Sequence, residues 1–314
     1  MPLWMAERRL AARLAALRAM AQVFIGSEAL AAGRVNRYQL ANTHQRVFPD
    51  VYAPRGELTL LDRTTAAWLW SGRQATVTGR AAAALHGARW VDPDIPIELN
   101  FANNRSPRGV ITHREALLAE ERTYRGGLPV TTVSRTAFDL ARRSPSIRRG
   151  IADLDALANA TRFAANDVLT VADAHPRLRG VRRVPSMLNA LDAGAQSPQE
   201  TYLRLDLIDA GFPRPTTQIP VARPDGRWYY LDMGWPDILV AVEYDGEHHR
   251  TSRSAYFTDA ERHDYLISIG WILVRVLADH RRADIFSRVQ RALTERSRIT
   301  PARSMRRERS TNAQ

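Results

Sequence analysis

The chain has 314 residues, 45% hydrophobic and 25% charged, a balance that suits globular protein and a length that suits two domains with real cores. Its formal net charge is +12, all 45 basic residues are arginine, and cysteine is absent. This excludes disulfides, thiolate metal sites and a cysteine nucleophile, and arginine's planar fork, which donates two hydrogen bonds to one phosphate, makes nucleic acid the expected partner. Charges at Glu7, Arg8, Arg9, Arg13 and Arg18 interrupt any apolar leader at the start. No stretch reaches the length of an uncharged membrane span. The expected location is the cytoplasm, without membrane contact.

In chain order, Leu10, Leu14, Leu17 and Ala21 recur at helical spacing. Two short helical patterns follow, at 27–32 and 36–43, separated by Gly33, and then a run of strand character at 46–54. Helix, turn, helix and hairpin is the order of a winged helix-turn-helix. In that arrangement 36–43 is the recognition helix and offers Arg37, Gln39, Asn42 and Gln45 to a groove. Residues 61–70 and 79–88 read as helices, 95–101 and 109–113 as strands, and 128–141 as a strand entering a helix capped near Ser134. His86 and His113 are isolated and read as structural. A helical stretch runs from 144 to 195, and the pattern breaks at Gly194 and Pro198.

After that break, Ser197, Pro198 and Glu200 form a helix start with the acid of a capping box. Strand patterns follow at 217–222, 228–233 and 238–245, then a helix at 254–269 and an apolar strand at 271–277, giving the order α-β-β-β-α-β. Alternation along the third strand points Leu239, Ala241, Glu243 and Asp245 one way and Val240, Val242 and Tyr244 the other. Paired carboxylates on an apolar strand repel unless a cation or a shared proton relieves them. With Asp232 from the neighbouring strand they make an oxygen-rich site suited to Mg²⁺ or Mn²⁺. A tight hairpin about Trp235 and Pro236 sets Asp232 opposite Leu239 instead, so a bend between Met233 and Asp237 has to bring it to Glu243, with Asp237 as the alternative ligand.

Asp232, the run from Val242 to His249, Asp259, Arg262, Leu266 and Gly270-Trp271 resemble the PD-(D/E)XK superfamily, in its branch related to very-short-patch-repair endonucleases. The resemblance implies a restriction-endonuclease-like core in which Asp232 and Glu243 ligate metal and Glu200 is the acid of the first helix. Asp245 stands where the family has a lysine, and His249 or His248 takes the cationic or proton-transfer role. Arg262 and Arg275 are the expected phosphate contacts of this part. The N-terminal region has a second resemblance. Val23-Phe24, the run from Arg46 to Tyr52, Thr78-Gly79-Arg80 with His86-Gly87, the run from Gly127 to Thr132, and the run from Arg135 to Ala141 are similar to AbiEi-type antitoxins, the transcriptional autoregulators of type IV toxin–antitoxin systems.

The expected fold is therefore α/β (α+β), with a winged helix at 1–60, an antitoxin-like α/β domain at 61–145, a helical linker at 146–196, a nuclease-like αβββαβ core at 197–297 and a disordered basic tail at 298–314. Two functions follow. One is a metal-dependent DNA endonuclease using Asp232, Glu243, Asp245, His249 and Glu200, with Mg²⁺ or Mn²⁺ held by the first three. The other is an antitoxin-like regulator, with a cognate toxin as partner, whose nuclease fold only binds DNA.

Overall fold

The computed structural model describes residues 23–103, 105–245 and 253–311, the side chains of 253–259 and 299–311 excepted. The helix expected at 10–21 and both His248 and His249 lie outside the described residues. The described chain is mixed α/β with three sheets. It divides into two compact units, 1–193 and 194–314.

The first unit begins with β1 (Phe24–Ile25), α1 (Gly26–Ala31), α2 (Arg37–Asn42), β2 (His44–Phe48) and β3 (Val51–Pro54). The three strands form one antiparallel sheet in the order β1-β3-β2, the topology of a winged helix. Helix α2 starts where it does because Asn36 and Gln39 cap each other's backbone N–H groups at 2.8 and 2.9 Å. It ends under Arg55, which donates to the carbonyls of Ala41 and Asn42, each at 2.9 Å, and so sets a cation on the negative end of the helix.

Next come α3 (Leu60–Trp70), β4 (Thr76–Thr78), α4 (Gly79–Leu85), β5 (Ile97–Asn100), β6 (Val110–His113), β7 (Arg122–Arg125) and β8 (Leu128–Thr131). The sheet order is β6-β5-β4-β8-β7. The winged helix and this sheet are one body. Val23, Phe48, Val51 and Ala53 share a core with Ala66 and Ala67 of α3 and with Val77, Ile97, Leu99 and Val130 of the sheet. The segment 146–196 is no linker either. Helices α6 (Ile147–Thr161), α7 (Ala165–Ala174) and α8 (Val184–Asn189) pack on α5 (Val133–Arg143). Their Ile151, Leu154, Leu157, Val168, Val184 and Met187 are fully buried. The expected cap at Ser134 lies two residues late: Thr132 caps α5.

Helix α5 carries a buried charge cluster. Arg135 is fully buried and donates to Glu121 at 2.7 Å, Glu115 at 3.0 Å and Asp139 at 3.2 Å. Arg142 and Arg143 add further pairs to Glu115 and Asp139. Burial alone would raise the Glu115 pKa, but hydrogen bonds from Arg142 and Arg143 outweigh it and hold the carboxyl at about 2. His175 and His113 close the rim through Glu121 and Glu98, and His86 bonds the Thr131 carbonyl, so His86 and His113 are structural, as expected.

The second unit contains α9 (Pro198–Asp209), β9 (Thr216–Ala222), β10 (Trp228–Trp235), β11 (Val240–Asp245), α10 (Arg253–Ser268), β12 (Ile272–Leu277) and α11 (Arg282–Thr311). The α-β-β-β-α-β order is present, with one helix added. The sheet order is β12-β11-β10-β9, antiparallel except for the parallel β11–β12 pair that α10 connects. Helices α9 and α11 cover one face through Leu203, Leu207, Ile285 and Val289, which meet Val240, Val242 and Met233. Leu266 of α10 covers the other through Ala241, Leu231 and Ile219. Helix α11 runs on to Thr311, where a disordered tail was expected from Arg298.

Candidate functional site

Two regions carry the residues that sequence singled out. On the winged helix, α2 has no fully buried residue: Leu40 is half-buried and the rest of the helix is exposed. Three of the four expected groove contacts have duties to the domain's own backbone. Gln39 caps α2, Asn42 donates to the Tyr38 carbonyl at 2.8 Å, and Gln45 donates to the carbonyls of Pro54 and Gly56 at 3.0 and 2.6 Å. Arg37 is exposed at the start of the helix. Beside it stands Tyr38, 75% exposed, which is not among the four expected contacts. An aromatic ring in a six-residue polar helix with nothing to pack on was the available signal.

In the second unit, the hairpin problem is solved by a wide connection. A 3-10 turn at Pro236–Ile238 and a left-handed Leu239 (φ 52°) separate the strands. The ladder pairs Trp235 with Val240, Gly234 with Ala241 and Met233 with Val242. The ladder ends there, with Asp232 next along β10 and Glu243 next along β11. Gly234 permits the close approach, since a side chain there would collide with the Val240 carbonyl. Asp237 stays exposed in the turn, at the other end of the pairing.

Strand β10 also changes sides at Asp232. Leu231 packs with Leu266 under α10, whereas Met233 packs with Leu203 under α9. In an unbroken strand two residues that far apart share a face. The break lies where the β9–β10 ladder has no pair, Asp232 facing Gln218, and Gln218 takes the left-handed conformation (φ 50°). In place of a backbone acceptor, the Asp232 carboxylate accepts the Tyr244 N–H at 2.8 Å.

Glu200 is buried at the start of α9, where it accepts from the Gln196 N–H and the Ser197 hydroxyl, each at 2.9 Å. It therefore does serve helix initiation. It also stands near enough to Asp232 to act on it electrostatically. Burial and the Glu200 charge, with a smaller push from Glu243, raise Asp232 to about 7 against the pull of Tyr244 and Arg262. Burial raises Glu200 as well. Glu200 and Asp232 thus lie as under-neutralised acids near Glu243.

Glu243 is buried and its two oxygens are taken by Arg262 of α10, Nη1 to Oε2 at 3.3 Å and Nη2 to Oε1. The same guanidinium donates to the Tyr230 carbonyl at 3.1 Å and lies over the Tyr229 ring, 5.7 Å from its centroid. Asp245 is half-buried at the end of β11, and Arg275 stands beside Glu243 in the parallel β11–β12 register. Oxygen donors of this kind suit Mg²⁺ or Mn²⁺ in chemistry. As the side chains lie, however, Arg262 holds the Glu243 oxygens, and among the described residues no group of three acids or histidines is disposed to hold a metal ion. Among the described residues no helix is long and apolar enough to cross a membrane.

Comparison with known proteins bears on both units. Two uncharacterized proteins of Mycobacterium tuberculosis, MT2308 of strain CDC 1551 and Rv2248 of strain H37Rv, are each 28% identical to this chain over 245 residues, which is 76% of the chain and 87% of the relative. Residues 74–190 match the family described as the AbiEi antitoxin C-terminal domain, and this span takes in the five-stranded sheet from β4 onward, the charge cluster and the helices α4 to α8. In the first unit a winged-helix arrangement thus shares one core with the segment that matches the AbiEi antitoxin C-terminal domain.

Proposed function

We propose that the chain is a DNA-binding regulator of the AbiEi antitoxin kind, with a cognate toxin protein as its second partner. The observation that carries this reading is the winged helix fused directly to the segment that matches the antitoxin domain. Helix α2 lies in the major groove, Arg37 meets phosphate, and Tyr38 lies against the groove wall. The test is fluorescence anisotropy of the full chain with duplex DNA from upstream of its own gene. Arg37→Ala is expected to weaken binding several-fold and to lower the slope of log affinity against log salt by about one, the loss of one phosphate contact. An unchanged slope and affinity would remove α2 from the interface.

A second reading is favoured by one feature of the other unit, the convergence of Glu200, Asp232 and Glu243. In this reading the unit is a DNA endonuclease. Asp232 and Glu243, with Asp245, would hold Mg²⁺ or Mn²⁺, which when bound supplies an activated water and charge stabilisation at the phosphate. Arg262 and Arg275 would contact the DNA backbone, and His249 would move the proton. Supercoiled plasmid incubated with either metal distinguishes the readings. Nicking lost in Glu243→Gln, Asp232→Asn and chelator supports the enzyme. DNA bound but never cut leaves the regulator alone.

A further inference from the structure

Strand β10 opens with three aromatic residues in a row, Trp228, Tyr229 and Tyr230, and alternation divides them between the two faces of the sheet. Tyr229 points toward α10. Its ring lies 6.1 Å from that of Tyr265 and carries the guanidinium of Arg223 at 4.6 Å and that of Arg262 at 5.7 Å. Trp228 and Tyr230 point the other way and are 55% and 54% exposed. On their side of the sheet, α9 and α11 pack on Met233, Trp235, Val240 and Val242, beyond Asp232, and the two rings lie outside that core. Across the ladder Trp228 faces Ala222 and Tyr230 faces Pro220, both exposed. Neither neighbour has a long side chain, so the rings stand above a low, apolar floor.

Residues two apart on a strand are separated by about 7 Å. That spacing suits neighbouring bases of an extended, unstacked strand, one base to each ring. Bases inside a duplex are already stacked on one another, so ring faces on a sheet select unpaired ones. The charge beside the rings agrees. The turn before β10 holds Arg223, Asp225 and Arg227, and both guanidiniums share one oxygen of that carboxylate, at 2.9 and 2.6 Å. One positive charge is left over next to Trp228, and the Arg227 side chain is 71% exposed. An apolar protein surface gains from the two rings but not from that charge, whereas a nucleic-acid strand gains from both.

We propose that the β9–β10 face binds single-stranded DNA, with Trp228 and Tyr230 each stacking on an unpaired base and Arg227 meeting a flanking phosphate. This site is separate from duplex binding by the winged helix and needs no cleavage by the second unit.

The test is fluorescence anisotropy of the full chain with a labelled oligothymidine, set against a strand of equal length in which stable abasic sugars replace every base. The abasic strand carries the same phosphates, so it measures the attraction that the basic chain has for any polyanion. Wild type is expected to bind the thymidine strand at least tenfold more tightly than the abasic one. Trp228→Ala and Tyr230→Ala are each expected to lose about tenfold on the thymidine strand, the loss of one stacked base, with abasic binding unchanged. Trp228→Phe and Tyr230→Phe keep a ring and are expected to retain most of the affinity, which separates stacking from a folding defect. Arg227→Ala is expected to weaken both strands alike and to lower the slope of log affinity against log salt by about 0.7. Equal wild-type affinity for the two strands overturns the proposal, as do alanine variants that bind the thymidine strand like wild type. Alanine variants that change the sedimentation of the free protein and leave thymidine binding intact also overturn it, and assign the face to a second copy of the chain.

Discussion

Arg135→Ala is expected to destabilise the first unit by about 3–5 kcal/mol, the cost of breaking a buried ion pair from one side. The substitution removes a guanidinium with no exposed surface and takes one cation from each of Glu115, Glu121 and Asp139. Arg142 and Arg143 still reach Glu115 and Asp139, but among the described residues the other side chain bonded to the Glu121 carboxylate is the His175 imidazole, at 2.6 Å. The measurement is urea denaturation of the full chain, following the first transition. Arg135→Met, which keeps volume but also removes the charge, should be nearly as damaging, since the cost lies in the acids that lose a cation. A loss below about 1 kcal/mol would show that the acids rehydrate or take up protons cheaply, and that the cluster contributes little to holding the loop before β7 onto α5.

Asp232→Asn is the second large effect, and it runs toward greater stability. The carboxyl titrates near 3.8 in the unfolded chain and at about 7 in the folded one, raised by burial and by Glu200. Between those values the folded protein holds a proton that the unfolded chain has lost, so stability falls as pH rises through that window and levels off above it. The amide carries no charge at any pH and keeps an oxygen for the Tyr244 N–H. It should therefore stabilise the second unit by on the order of 1–4 kcal/mol at pH 8 and by little at pH 4. Guanidinium melts of both proteins across that range check this. A gain independent of pH would place its origin in packing and not in charge.

Much of this molecule can be read from local chemistry. The winged helix was legible because its two helical patterns and hairpin follow one another in sequence, with Gly33 separating the helices. The αβββαβ order was legible for the same reason, since Ser197-Pro198, Gly211 and the Pro224-Asp225-Gly226 turn punctuate apolar runs of strand length. Glu243 stood out because an acid in an apolar strand needs a partner, wherever the partner comes from. Short strands β4 and β7 escaped notice, since three or four residues carry no period, and helices α6 to α8 passed for a linker because their burial against α5 is a property of packing.

What tertiary structure alone decided is who those partners are. That Asp232 meets Glu243 depends on a left-handed Leu239 and a 3-10 turn, which widen the hairpin beyond what strand alternation can foresee. That β10 changes faces at Asp232 depends on two helices, α9 and α10, packing on opposite sides of the same sheet. The sequence marked Arg262 as a DNA contact. Only the approach of α10 to β11 turned it into the clamp on Glu243, because an ion pair between residues nineteen positions apart is chosen by the fold and not by spacing along the chain.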